Sequence, residues 1–500
     1  MTASPNDASR RAWAPRLAQE AQLAALERQL ASSDEGERRI QAEIERAALL
    51  AALDRRAEAQ AAFIDILRRH PTHFSALNEF GTLLAAQGAI DAACRVYAEA
   101  ILHHPANPMA HVNLGNLLLR ANRHAEARAH YEAALTADPD HAAAHQGMGA
   151  VLSDEGDRDG ARQHFKKGFR GHAVSTLPYR GEGPPIALLQ LVSSGGGNIP
   201  TAPFLDDCVF LTTVVVADHL DPATPLPPHR LIFNAIGDAD LCRPALEAAI
   251  GLTARSGAPV VNDPRAVMKT GRIDNAALLA GLPGVRTART LAVSRADLVR
   301  DQAAGLAVHG FTFPLLLRSP GYHTGRNFVL VETAANLSEA IAGLPGEELL
   351  AIEYLDARGV DGNVRKYRVM MIGGKLFPLH LAISKNWKVH YFTSDMADQA
   401  GHRSEEMAFL EDMAGVLGEK AFAALHTIAE VLALDYGGID FGLNADGDLL
   451  LFEANATMVI AAPADNDPRW AYRRSAIAAA LEAVVAMIKE KAALAGHSAG

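Results

Sequence analysis

The chain has 500 residues, 49% of them hydrophobic and 21% charged, with a formal net charge of -11. That length holds roughly two to four domains with sizeable cores, and the acidic balance argues against non-specific nucleic-acid binding. Cys94, Cys208 and Cys242 lie too far apart for a metal or disulfide pattern, and no stretch has the apolar length of a signal-peptide core or a membrane span. A cytoplasmic, reducing location with no membrane partner is expected.

The first predicted element is a polar, alanine-rich helix from about Ala8 to Leu30, broken by Ser32-Ser33-Asp34-Glu35-Gly36. Repetition then dominates. Pro71, Pro105 and Pro139 are 34 residues apart, as are Gly81, Gly115 and Gly149. Ala93, Ala127 and Ala161 keep the same period, and so do Tyr97, Tyr131 and Phe165, and Leu84, Leu118 and Leu152. Each unit reads as two amphipathic helices: small residues allow close approach, aromatics fill the gap, and proline stops the second helix. A weaker unit from about Ile40 to His73 keeps Ala47, Leu50, Ala59, Phe63 and Pro71. In these positions the segment resembles the tetratricopeptide repeat (TPR) family, with Leu77, His111 and His145 where the first helix of that family carries Trp. The resemblance implies a peptide- or protein-binding groove, for which Asn78, Asn113 and Asn116 are candidates; self-association is an equal alternative.

Gly181-Glu182-Gly183-Pro184-Pro185 reads as an inter-domain linker. Apolar runs at Ile186 to Val192, Val209 to Val216 and Leu231 to Ile236 then alternate with helical segments such as Ala245 to Ala254. That pattern predicts an open α/β sheet with ligand loops at its strand ends. Ser193 to Asn198 and Asn234 to Asp240 are two such loops. Farther on, Phe313 to Arg318 and Phe328 to Glu332 read as strands around the glycine-containing loop Ser319 to Asn327, which could clamp phosphate. Lys366 to Leu376 reads as two strands joined by Gly373-Gly374, with Lys366 and Arg368 on one face. His380 reads as a core histidine. Glu405-Glu406 with Glu411-Asp412 reads as a solvated acidic helix face. Arg469, Trp470, Arg473 and Arg474 read as a cap on a final helix, Ser475 to Lys491.

Near the carboxyl end, Gly438-Ile439-Asp440-Phe441-Gly442 and Leu449 to Asn455 flank the turn Asn444 to Asp448. Pairing these runs as a hairpin brings Asp440, Glu453 and Asn455 to one end. Glu453 and Asn455 share a strand face. Three hard oxygens suit magnesium together with substrate phosphates.

Residues from about Val260 to Ala483 resemble the ATP-grasp family. The resemblance implies that ATP is gripped between two α+β subdomains and a carboxylate is joined to an amine or similar nucleophile. Arg272 and Arg318 stand where the family has two ATP-binding lysines. Gly321, Tyr322, His323, Thr324 and Gly325 would form the loop over the phosphates. Glu353, Tyr354 and Leu355 would border adenine, and Asp361 would meet the ribose. Asp440, Glu453 and Asn455 would hold Mg2+. Arg368, Lys385, Lys388 and His390 are the catalytic candidates.

The expected class is therefore multidomain: all-α TPR repeats, an α/β pre-ATP-grasp domain and an α+β ATP-grasp fold. Expected bounds are an N-terminal helix over 1–39, repeats over 40–173 and a linker over 174–185. The α/β domain takes 186–262, the grasp 263–490 and a tail 491–500. The expected partners are ATP, a small-molecule or peptide carboxylate and a nucleophile. Two alternatives stand beside the ligase: a non-catalytic TPR adaptor with a nucleotide-sensing grasp fold, and an ATP-grasp kinase or phosphotransferase.

Overall fold

The computed structural model describes residues 15–32, 36–322, 325–391, 394–463 and 467–494. Its contacts divide the chain into two compact units, residues 1–189 with 206–228 and residues 190–205 with 229–500. The division falls inside the segment 186–262 that the sequence reads as one α/β domain.

The first unit opens with helix α1 (Pro15–Ser32), which runs past the expected Leu30; residues 1–14 and 33–35 lie outside the described residues. Helices α2 (Glu37–Ala52) and α3 (Arg56–Arg69) form the weak repeat. The clear repeats are α4 (Phe74–Ala86) with α5 (Ile90–His103), α6 (Pro108–Arg120) with α7 (His124–Ala137), and α8 (Ala142–Glu155) with α9 (Arg158–Gly168). The small residue and the aromatic of each unit are partners in space. A Cβ on Gly81 would come within 2.6 Å of the Tyr97 ring, one on Gly115 within 2.8 Å of Tyr131, and one on Gly149 within 2.6 Å of Phe165. Only a bare Cα lets the ring sit flat against the opposite helix. Tyr131 is also pressed by the next repeat, since a Cβ on Gly147 would lie 2.2 Å from its ring. Helix starts are marked by Asn107, whose side chain accepts from the Met109 amide at 3.0 Å, with Pro108 in the first turn.

The expected linker is partly built. Strand β1 (Val174–Thr176) pairs antiparallel with β3 (Phe210–Val216), and Thr176 meets Thr213 hydroxyl to hydroxyl at 3.0 Å. Buried Tyr179 donates its hydroxyl to the Gly183 carbonyl at 2.7 Å. Side-chain pairing with a β-branched strand outweighs the turn chemistry of the glycines and prolines that follow.

The second unit begins within β2 (Ile186–Val192). Ala235 N–H donates to the Leu191 carbonyl at 2.9 Å, which sets β4 (Leu231–Asn234) beside the end of β2. Strand β4 pairs parallel with β5 (Val260–Val261), after the crossover helix α10 (Arg243–Ala254). Short helices α11 (Pro264–Val267) and α12 (Arg272–Leu278) follow, then two sheets. One is four-stranded and antiparallel, in the order β7 (Thr290–Ser294), β10 (Glu348–Glu353), β8 (Leu315–Arg318), β9 (Phe328–Val331). Helices α13 (Arg295–Val308) and α14 (Leu337–Gly343) bury Leu298, Leu306, Leu337 and Ile341 in its core. The other is five-stranded, in the order β12 (Lys375–Ser384), β11 (Val364–Ile372), β13 (Tyr436–Leu443), β14 (Leu449–Asn455), β6 (Val285–Thr287). Both predicted hairpins form. Gly373 and Gly374 take positive φ of 56° and 77° between β11 and β12, the geometry of a two-residue turn that side chains resist. Helices α15 (Ala400–Glu411) and α17 (Arg474–Leu494) pack on β12, and α16 (Met413–Leu432) leads into β13. Among the described residues no helix is long and apolar enough to cross a membrane. The whole is a helical repeat region followed by a mixed α/β region of several sheets.

Candidate functional site

Register in the five-stranded sheet lines up charge. His380 on β12 pairs with Arg368 on β11, Arg368 with Asp440 on β13, and Asp440 with Glu453 on β14. Residues directly opposite one another across antiparallel strands project from one face, so the four form a row. Lys366 and Asn455, each two residues from a member of the row, share that face. The ladder shifts register after Arg368 towards β12 and after Asp440 towards β14. Such irregularities re-aim side chains.

Asp440 is 3% exposed. Arg368 donates to it through Nε at 2.6 Å and through a terminal nitrogen at 2.8 Å, and Lys366 Nζ donates at 3.1 Å. Burial alone would raise its carboxyl, but the Arg368 and Lys366 charges prevail and hold it well below the usual carboxylate range. Glu453 accepts from Arg272 at 3.1 Å, while Arg272 also grips Asp240 at 3.0 Å. Asn455 Oδ1 accepts from the Thr457 amide at 3.0 Å and its hydroxyl at 2.9 Å. By type and by face the three oxygens suit a hard cation, and each has an internal partner.

The flanking loops belong to the same unit. Gly237 packs so closely on the chain after β14 that a Cβ there would lie 2.9 Å from Thr457 and 3.1 Å from the backbone of Ala456. This seats Asn234 to Asp240 beside Asn455 and lets Asp240 reach Arg272. Arg318, at the end of β8, donates to the Tyr322 carbonyl and lies 5.4 Å from the centre of the Phe328 ring. Burial first, and then the like charge of Arg272, push its guanidinium down to about 10. Its Nε is buried without a hydrogen-bond partner among the described residues. Lys388 reaches across to the same loop and donates to the carbonyls of Gly325 and Phe328, each at 3.1 Å, while Trp387 meets Phe328 edge-on at 5.3 Å. Gly321 and Tyr322 line the near side of that loop; His323 and Thr324 lie outside the described residues.

His390 is held below the ordinary histidine value by burial and then by Lys366 and Arg368, so it stands in the field of the row. Lys385 is exposed. The Glu353 amide donates to the Arg289 carbonyl at 2.8 Å, and a Glu353 carboxylate oxygen accepts from the Arg289 amide at 3.2 Å. Tyr354 beyond it is half-buried, its phenol raised by burial, and Leu355 begins the connection to β11. Asp361 sits in a turn, where Asn363 and Arg365 hold its carboxylate, each at 2.9 Å at closest.

Two sequence readings fail here. Glu406 is fully buried, not solvated. It accepts from Tyr391 at 3.0 Å, from Tyr472 and from the Leu381 amide at 3.3 Å, with Arg473 at 3.4 Å. Arg473 does not simply cap the final helix: it is 7% exposed and lies 4.2 Å from the centre of the Tyr391 ring. Burial raises the Glu406 carboxyl, and Arg473 opposes that rise. The signal was faint: Glu406 and Phe409 are the buried members of an otherwise polar helix, three apart. His380 is the buried histidine expected, its ring 4.7 Å from Tyr391; burial and then Arg368 keep it neutral, and Nε2 has no partner among the described residues.

Comparison with known proteins bears on the first unit. Family models of the tetratricopeptide repeat match residues 44–108, 79–142 and 118–170. Residues 44–170 are tetratricopeptide repeats. The match takes in most of the weak unit as well as the three regular TPRs. None of the curated proteins matches the chain. Among solved structures, MamA from residue 41 to its end, from Desulfovibrio magneticus RS-1, is similar at 22% identity, over 33% of this chain and 90% of that one, with a TM-score of 0.27. A tetratricopeptide repeat protein from Parabacteroides merdae ATCC 43184 is 16% identical over 30% of this chain and 58% of its own, with a TM-score of 0.26. The TPR assignment rests on the family models and on the residues in register.

Proposed function

We propose that the second unit is an ATP-grasp ligase that activates a carboxylate as an acyl phosphate and passes the acyl group to an amine or similar nucleophile. One observation carries this reading: Asp440, Glu453 and Asn455 share one face of adjacent strands with Arg368 and Lys366, beside Arg272. A mixed five-stranded sheet and an antiparallel four-stranded sheet in one unit, joined through Glu353 to Val364, agree with a nucleotide gripped between two subdomains. In this reading Arg272, Arg318 and Lys388 neutralise phosphate, with Gly321, Tyr322 and Gly325 beside it. Mg2+ held by Asp440, Glu453 and Asn455 would supply charge neutralisation at the transferred phosphoryl group. Arg368 would hold the acyl phosphate, and the protein's share is positioning and electrostatic preorganisation. The TPR array would recruit a peptide or protein, either the substrate or a partner that delivers it.

The internal pairing of Asp440, Glu453 and Asn455 favours the second reading, a TPR adaptor whose α/β unit senses a nucleotide without turnover. Incubation with ATP, Mg2+ and pooled acids and amines separates the two. ADP, phosphate and a condensed product are expected from the wild type, with a loss of at least a hundredfold in Glu453→Gln and unchanged melting. Undiminished ATP consumption by that variant would sink the metal assignment, and nucleotide binding without product from any pool would favour the sensor.

A further inference from the structure

The inference deepens the nucleotide reading and rests on it. Asp440 by itself is met by more positive charge than it carries. One buried carboxylate faces Arg368 and Lys366, and the neighbour on the far side of Arg368 is a neutral histidine. Three N–H groups at 2.6–3.1 Å occupy both carboxylate oxygens. The next carboxylate along the row, Glu453, is engaged at one oxygen, by an arginine that also holds Asp240.

A divalent cation approaching Asp440 alone would find both of its oxygens taken and two fixed positive charges beside them, and like charges in a poorly solvated site repel strongly. An anion meets the reverse. Arg368 offers a planar fork matched to phosphate, Lys366 a compact charge, and their surplus over Asp440 attracts it. We propose that Asp440 is a latched ligand: Arg368 and Lys366 hold it shut in the resting protein, and the phosphates of a nucleotide draw both cations away and so open it to a divalent cation. Binding is then ordered. The anion enters first or with its own metal, and a free metal ion binds poorly.

The test uses the full chain and Mn2+ as the probe, with unbound Mn2+ counted by electron paramagnetic resonance. Wild type should bind Mn2+ at least tenfold more tightly with a non-hydrolysable ATP analogue than without it, after subtraction of Mn2+ held by free analogue. The double variant Lys366→Met, Arg368→Met should bind Mn2+ at least tenfold more tightly than wild type with no nucleotide present, and adding Asp440→Asn should erase that gain. If the double variant does not fold, Lys366→Met alone should give a smaller gain of the same sign. Equal Mn2+ affinity of wild type with and without bound analogue would overturn the latch, as would variants that bind no more tightly than wild type. Calorimetry showing that the analogue itself does not bind would overturn the nucleotide reading. The nucleotide-free comparison of variants would still decide whether the two cations close Asp440.

Discussion

The two units differ in the charge they bury. In the repeats the buried polar contacts are neutral and short in sequence: Tyr97 with Thr82 at 3.0 Å, Tyr131 with Asn116 at 2.7 Å, Asn113 with Asn78 at 2.9 Å. In the α/β unit neutral contacts, such as the Tyr436 amide with Asn262 at 2.8 Å, are joined by ionic ones that link Arg272 to Glu453, Arg368 to Asp440 and Arg473 to Glu406. Neutral pairs suit a scaffold, because they cost little to bury once satisfied. Buried charges cost much more, and arrays of them mark sites where chemistry or binding requires them.

The sharpest way to break this contrast is Glu406→Ala. It strands Arg473 in the interior and should cost roughly 3 to 5 kcal/mol, the range for an uncompensated buried charge. Denaturant titration should show the α/β unit unfolding early while repeat helicity persists at the same denaturant concentration; an unchanged midpoint would refute the network. Gly147→Ala should cost less, roughly 1 to 3 kcal/mol, by overpacking against the ring of Tyr131. The same measurement should now show the early transition in helical signal from the repeats.

The smallest effect is one of pH. His111 meets His130 Nδ1 to Nδ1 at 3.0 Å, and one repeat later His145 meets His164 at 2.9 Å. His145 Nε2 is bonded to the Pro139 carbonyl, which can only accept, so its Nδ1 carries the lone pair and His164 donates. Burial lowers His111, His130 and His164, and the opposite ring adds to this for His130 and His164. Glu126 opposes the shift at His130; at His164 Lys167 and Arg128 add to it and Asp157 opposes. The unfolded chain therefore binds protons more readily than the folded one. The stabilisation is complete above the unfolded value of about 6.5 and drains away as pH falls through the lower folded values. The first regular repeat supplies the control, since Leu77 packs with Val96 at the same two positions. His111→Leu with His130→Val should flatten the decline in melting temperature between about pH 7 and pH 5, and an unaltered slope would exclude the pair as its source.

How much was legible in advance follows the same divide. The repeats could be read because each partner recurs at a fixed distance: Gly81 announces Tyr97, and the pattern says so three times. Both hairpins were legible from turn residues, and the alignment of Asp440, Glu453 and Asn455 from strand parity. Asp240 as partner of Arg272, and Glu406 as partner of Arg473, were not, since neither a repeat period nor a strand register links those positions. The strand inside the expected linker escaped for a related reason: its mate, Phe210–Val216, lies downstream of the glycines and prolines that mark the segment as a connection.

Tyr131 has one more lesson. Its ring belongs to one helical pair yet is roofed by Gly115 of that pair and Gly147 of the next. Neither pair possesses a finished interior by itself. The array should thus behave as a zipper with shared teeth, where damage between two modules loosens both and where cutting the chain between them leaves a raw apolar end on each side.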